Sequence, residues 1–146
     1  MGYRLYGFMI GDEIHFDISN RRLYRLTGSQ TDKSIAFASI YFNETMLRLF
    51  LYLLEHGRRS AISKEELFDK IWEENNLSPS TQRLWQVLNN LNKKLGLLGL
   101  PADFIRNIKG RGYMINYQDV IPVYYRTSEL PPQPGNTREK PDSLSE

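Results

Sequence analysis

The chain has 146 residues, 40% of them hydrophobic and 25% charged, which is long enough for one domain with a real core. A formal net charge of +2 selects no partner by itself, and the absence of cysteine excludes disulfides and thiolate metal sites. The longest apolar run, MLRLFLYLLEHG, is broken by Arg48 and falls well short of the ~20 residues that span a bilayer. The N-terminus has no apolar signal region, and Tyr6 stands where a myristoylation signal would need Ser or Thr.

In chain order, YGFMI, EIHFDIS, RLYRL and IAFASIYF are short β-prone runs separated by turn-rich GDE, SN and TGSQTDKS. EIHFDIS alternates Ile14, Phe16 and Ile18 with His15, Asp17 and Ser19, the period of a strand with one buried face. These runs predict a small antiparallel sheet. The period then changes to helical. Asn43 caps a helix expected to run to about His56, with Gly57 as a left-handed stop, and its apolar residues cover most of the circumference, as in a central buried helix.

A second helix begins at the capping box SKEE, in which Ser63 and Glu66 can satisfy each other's backbone donors; Leu67, Phe68, Ile71 and Trp72 form its apolar face. Pro79 behind Ser78 predicts the start of a third helix that continues to Leu95, before Gly96. The stretch DFIRNIKGRGYMINY then reads as a β-hairpin. This order of elements is a winged helix-turn-helix pattern, of α+β class. Residues 1–120 form the expected domain, and 121–146, four of whose five prolines follow residue 130, the expected extended and disordered linker.

Charge is distributed unevenly between neighbouring segments. Residues 63–74 hold five acids against Lys64 and Lys70, whereas residues 75–113 hold six cations against Asp103 alone. In the third helix, Leu84, Leu88, Leu91 and Leu95 fall within about 60° of one another and mark the buried stripe. The opposite arc carries Gln82, Gln86, Asn89, Asn90 and Lys93, with Arg83 and Trp85 on its flanks. A merely solvated face would mix signs, because Glu and Lys four apart support a helix. An arc of amides and cations is what a polyanion selects, since a carboxylate there would lose its water against phosphate. Asn and Gln can also read the N6 and N7 edge of adenine in a major groove. At the hairpin tip, Arg106, Lys109 and Arg111 surround Gly110 and Gly112, and long cations on a projecting ribbon suit a minor groove.

Catalysis has little support. His15 and His56 are the only histidines, no nucleophile motif accompanies them, and the acids read as turn or solvated-face charges, so neither a catalytic site, a metal site nor a cofactor is expected. The rival reading is a winged-helix module that contacts a partner regulator or RNA polymerase, for which the acidic second helix offers a surface.

The sequence resembles the winged-helix DNA-binding domains of OmpR/PhoB-type transcription factors, in their receiver-less ToxR and CadC-like branch, over about residues 8–117. The most specific pieces are ISKEELFDKIWEE for the second helix, LNKKL closing the third, and IKGRGYMI for the wing. The resemblance implies a four-stranded N-terminal antiparallel sheet, three helices and a C-terminal β-hairpin wing, with the third helix in the major groove of promoter DNA and the wing in the minor groove. It implies that Lys109 is the wing cation, that Tyr113 is the buried wing anchor, and that Trp72 lies near the DNA backbone, where Ser80 and Thr81 are further candidates. Asn75–Ser80 resembles the loop through which relatives touch RNA polymerase. Asn89, Asn90 and Asn92 stand where many relatives carry Arg or Ser, which leaves Arg83, Lys93 and Arg111 as the leading cations.

A cytoplasmic regulator, an activator by expectation, follows from this likeness, with a weak or DNA-induced homodimer expected and useful affinity needing tandem copies, a second protein or membrane clustering. ToxR-like relatives tether this domain to the inner membrane through a linker. The Pro-rich tail fits that role, with any membrane attachment running through a segment absent from this chain.

Overall fold

The computed structural model describes residues 2–28, 35–75 and 77–127. Four strands come first: β1 (Tyr3–Ile10), β2 (Ile14–Asp17), β3 (Arg22–Gly28) and β4 (Ile35–Tyr41), all antiparallel neighbours. The expected alternation holds where it is strongest, with Ile14 and Phe16 buried and His15 turned to the other face, where it stacks on Tyr24. Three helices follow, α1 (Glu44–His56), α2 (beginning Lys64–Leu67) and α3 (Thr81–Leu97), and then the hairpin β5 (Ile105–Ile108) and β6 (Gly112–Ile115).

The sheet has five strands rather than four. After the hairpin the chain returns as β7 (Val120–Arg126) and pairs antiparallel with β1, giving the order β4-β3-β2-β1-β7. The domain therefore extends beyond the expected boundary at residue 120, and residues 121–126 are strand, not linker. The cause is legible in VIPVYYR, whose β-branched and aromatic residues cover the otherwise open edge of β1; Pro122 is tolerated because β7 is itself an edge. Of the expected linker, residues 128–146 lie outside the described residues.

The helices pack on one face of this sheet. α1 lies at the centre, with Met46, Leu49, Phe50, Leu53 and Leu54 buried, and its Phe50 ring meets Phe16, Phe42 and Phe104 at centroid separations of 5.1, 5.5 and 6.2 Å. Asn43 caps α1 as expected, accepting from the Met46 N–H at 2.9 Å. Gly57 ends it, but with φ −108° rather than left-handed; a Cβ there would lie 2.9 Å from the Leu53 carbonyl oxygen, so close packing and not the turn favours glycine.

Half of the expected capping box forms. Ser63 Oγ accepts from the Glu66 N–H at 3.0 Å, while the Glu66 carboxylate turns instead to the Tyr52 hydroxyl, 2.5 Å away. α2 then widens to a π-helical turn over Phe68–Trp72 and tightens over Glu73–Asn75. The third helix starts later than Pro79 suggests, because Ser80 and not Ser78 is its cap, and it runs through Gly96 to Leu97. Its end is held by Arg25, whose guanidinium donates to the Leu98 carbonyl oxygen at 2.6 Å and pairs with Glu13 at 2.8 Å.

Candidate nucleic-acid interface

α3 is oriented by its leucines. Leu84, Leu88, Leu91 and Leu95 are all buried, so the remaining arc must face outward. Ser80 Oγ is occupied as the cap, accepting from the Arg83 N–H at 3.0 Å, and the Thr81 hydroxyl meets the Lys64 ammonium at 3.4 Å. Both residues are exposed at the start of α3. Of the arc, Gln82, Arg83, Gln86, Asn90 and Lys93 are exposed and Asn89 is half-buried. Among the described residues none of these six side chains makes a hydrogen bond or ion pair within the protein.

Several other cations of the chain are committed. Arg25 holds Glu13, Arg48 pairs with Glu44, Lys70 pairs with Glu74 at 3.2 Å, and Arg58 donates to the carbonyl oxygens of Leu54 and Val120. Arg83 and Lys93 have no such partner among the described residues.

The wing is fastened beside α3 through its base. Ile105 and Ile115 are buried opposite one another, and Tyr113, half-buried, exchanges two backbone hydrogen bonds with Ile62 at 2.8 and 2.9 Å. Gly112 makes that bridge possible. It has φ 134°, and a Cβ would sit 1.9 Å from the Ile62 carbonyl oxygen. Gly110, with φ 78°, supplies the left-handed residue of the tip turn that the Arg111 N–H closes onto the Ile108 carbonyl oxygen at 2.9 Å.

Lys109 and Arg111 flank this tip, exposed and unpaired among the described residues. Arg106 does not join them. It pairs in register with Met114, which puts it farther back along β5 and on the opposite face from Asn107 and Tyr113, the residues turned toward α3. Arg111 instead lies beside the start of α2, lining a hollow with Ser63, Lys64 and Glu65.

Trp72 departs from expectation most. Its ring is fully buried, so it cannot lie on the protein surface against a phosphate. Only its indole Nε1 is unusual, being buried with no hydrogen-bond partner among the described residues. The ring lines a hollow between α1 and α3 together with Asn43 and Glu44 at the α1 N-terminus and Arg83, Gln86 and Asn90 from α3. On the other flank of α3, a crevice toward the wing is lined by Trp85, Asn89 and Asn92 and by Asn107 and Tyr113. Trp85 is 62% exposed. Nothing in the sequence placed the α1 N-terminus or Asn107 at the site, whereas the helical period already puts Trp85 on a flank of the outward arc.

Among the described residues no helix is long and apolar enough to cross a membrane, and no group of three or more His, Cys, Asp or Glu could hold a metal ion.

A helix buried by its leucines and bare along an amide-and-cation arc, with a β-hairpin fastened at its side and a sheet behind, defines a winged helix-turn-helix DNA-binding domain of α+β architecture. Residues 38–115 match the model of the family described as "Transcriptional regulatory protein, C terminal", and the chain belongs to that OmpR/PhoB-type family of DNA-binding regulatory domains, which is not a class of enzymes. Over 71 residues it is 37% identical to Protein RcaC of Microchaete diplosiphon, a stretch that is 49% of this chain but 11% of RcaC. The DNA-binding domain of E. coli CadC has the same fold, with a TM-score of 0.59 at 19% identity, over 84% of this chain and 100% of that one.

Proposed function

We propose that the domain binds promoter DNA sequence-specifically to regulate transcription, acting as an activator, with α3 in the major groove and the wing in the adjacent minor groove. The observation that carries this reading is the outward arc of α3, which has amides and cations, no acid, and no partner within the described protein. At 17 residues α3 is about 25 Å long, enough to follow a groove past several base pairs.

In this arrangement Gln82, Gln86, Asn89 and Asn90 read base edges, while Arg83 and Lys93 bind the phosphates that border the groove. Lys109 and Arg111 enter the minor groove, and Arg106 meets phosphates from the wing's outer face. Ser80 and Thr81 meet backbone at the start of α3. Trp72, fully buried, supports α3 from within and makes no DNA contact in this arrangement.

RNA polymerase contact through the connection at 75–80, and pairing of two copies on DNA, complete the proposal. The acidic side of α2, with Glu65, Asp69, Glu73 and Glu74 exposed, supports a second reading in which α2 binds a partner protein. The test is a titration of duplex DNA at several salt concentrations. Affinity should fall by a slope approaching 0.9 per neutralised phosphate. No complex at low salt, or affinity indifferent to salt, overturns the DNA reading.

A further inference from the structure

The two flanks of α3 differ in chemistry. The hollow on the α1 side is charged, lined by Arg83, by the Glu44 carboxylate and by the N-terminal end of α1. The crevice on the wing side is lined by Trp85, Asn89 and Asn92 from α3 and by Asn107 and Tyr113 from the hairpin, with the buried Leu88 and Ile105 beneath them. No carboxylate, ammonium or guanidinium lines it. It is a neutral, apolar and amide-bearing surface standing open between two elements that carry the cations of the interface.

Trp85 is the largest exposed apolar residue on α3, at 62% exposure, while Trp72 is completely buried. It makes no ring stack and no cation-π contact with another described residue. At 100° per residue its side chain leaves α3 about 90° from the centre of the outward arc, on the side facing the wing. It is also the fifth residue of the helix, and the N-terminal turns of a recognition helix are those that reach base edges. No cation lines this flank to favour phosphate over base edges, and its exposed centre is an indole rather than a hydrogen-bonding group. The neutral groups that duplex DNA offers at the side of a major groove are the 5-methyl groups of thymine, which project from the base edges toward the groove wall.

We infer that Trp85 is a specificity-determining residue that packs on thymine 5-methyl groups, with Asn89 and Asn92 beside it on the neighbouring base edges. This rests on the proposal that α3 enters the major groove. Removing water from one methyl against an indole face is worth roughly threefold to tenfold in affinity. The preference is for thymine over cytosine at one or two adjacent positions, and 5-methylcytosine shares the recognised group.

The experiment starts from the tightest duplex selected from random sequence by the intact chain. Each thymine is replaced in turn by deoxyuridine, which lacks only the methyl. One or two adjacent positions should lose roughly threefold to tenfold, and this sensitivity should vanish in Trp85→Ala and persist in part in Trp85→Phe. Cytosine at those positions should weaken binding, and 5-methylcytosine should restore it. Circular dichroism of both variants should match the parent, since Trp85 is exposed. The inference is overturned if no position responds to uracil, if the response survives in Trp85→Ala, or if Trp85→Ala weakens every duplex equally, which assigns the indole to the sugar-phosphate wall. Binding to the selected duplex despite one of those outcomes leaves the DNA reading intact. Recovery of no duplex at all removes both.

Discussion

The two tryptophans of the chain flank one helix and have opposite fates. Trp72 is sealed beneath the α1 side of α3, with an indole donor left unpaired among the described residues, whereas Trp85 stands open on the wing side among asparagines. The contrast separates two kinds of surface on one element. One flank is charged, with Arg83 and Glu44 beside a helix N-terminus; the other is neutral and apolar, which suits base edges. Neither residue's type distinguishes them. What does is the direction in which the backbone points each ring.

The largest effect that tests this comparison is on stability. Trp72→Ala should cost about 3–5 kcal/mol in urea unfolding, because a fully buried ring leaves a cavity that its neighbours cannot fill. The same change at Trp85 should alter the midpoint little, as expected for an exposed site. Equal losses at the two positions would erase the distinction.

Base readout comes next. Gln86→Ala or Asn90→Ala should lower discrimination at particular base pairs by about 1–3 kcal/mol, measured by competition between single-base variants of the selected duplex. Lys109→Ala should instead weaken all sequences about equally and reduce the salt slope by about 0.9. A sequence-dependent loss from Lys109→Ala would show that the wing reads bases.

Trp72→Phe sharpens the charged flank. It deletes the unpaired N–H along with part of the ring, so relief of a buried unsatisfied donor offsets much of the packing loss, and stability should change by about 1 kcal/mol or less. DNA affinity should stay unchanged, because the ring and its Nε1 are buried; a uniform loss would return Trp72 to the interface.

The smallest effect serves as a control remote from both flanks. Burial, and then the hydrogen bond to Glu66, push the Tyr52 hydroxyl up to about 12. The folded state therefore retains this proton where the unfolded chain loses it. The resulting stabilisation is present below pH 10 and is lost as pH rises from 10 to 12. Tyr52→Phe should flatten the fall in stability across that window while leaving DNA binding at neutral pH unchanged.

The sequence by itself determined the order of strands, helices and hairpin, the leucine stripe of α3, and hence the outward arc, because hydrophobic periodicity is a local signal that burial enforces. It also determined the glycines of the wing, since only a residue without Cβ tolerates φ 78° or lies against the Ile62 carbonyl. The fifth strand escaped, being a pairing between segments more than a hundred residues apart that no local period announces. So did the shift of the α3 cap from Ser78 to Ser80, where two serines compete and the packed helix chooses. Periodicity already put Trp72 on the apolar face of α2 and Trp85 on a flank of α3, but what lies across from each ring was decided by tertiary structure. An apolar helix face says which side is buried, but which neighbour covers each flank, and whether a charge lies across the gap, depends on how α1 and the wing dock against α3.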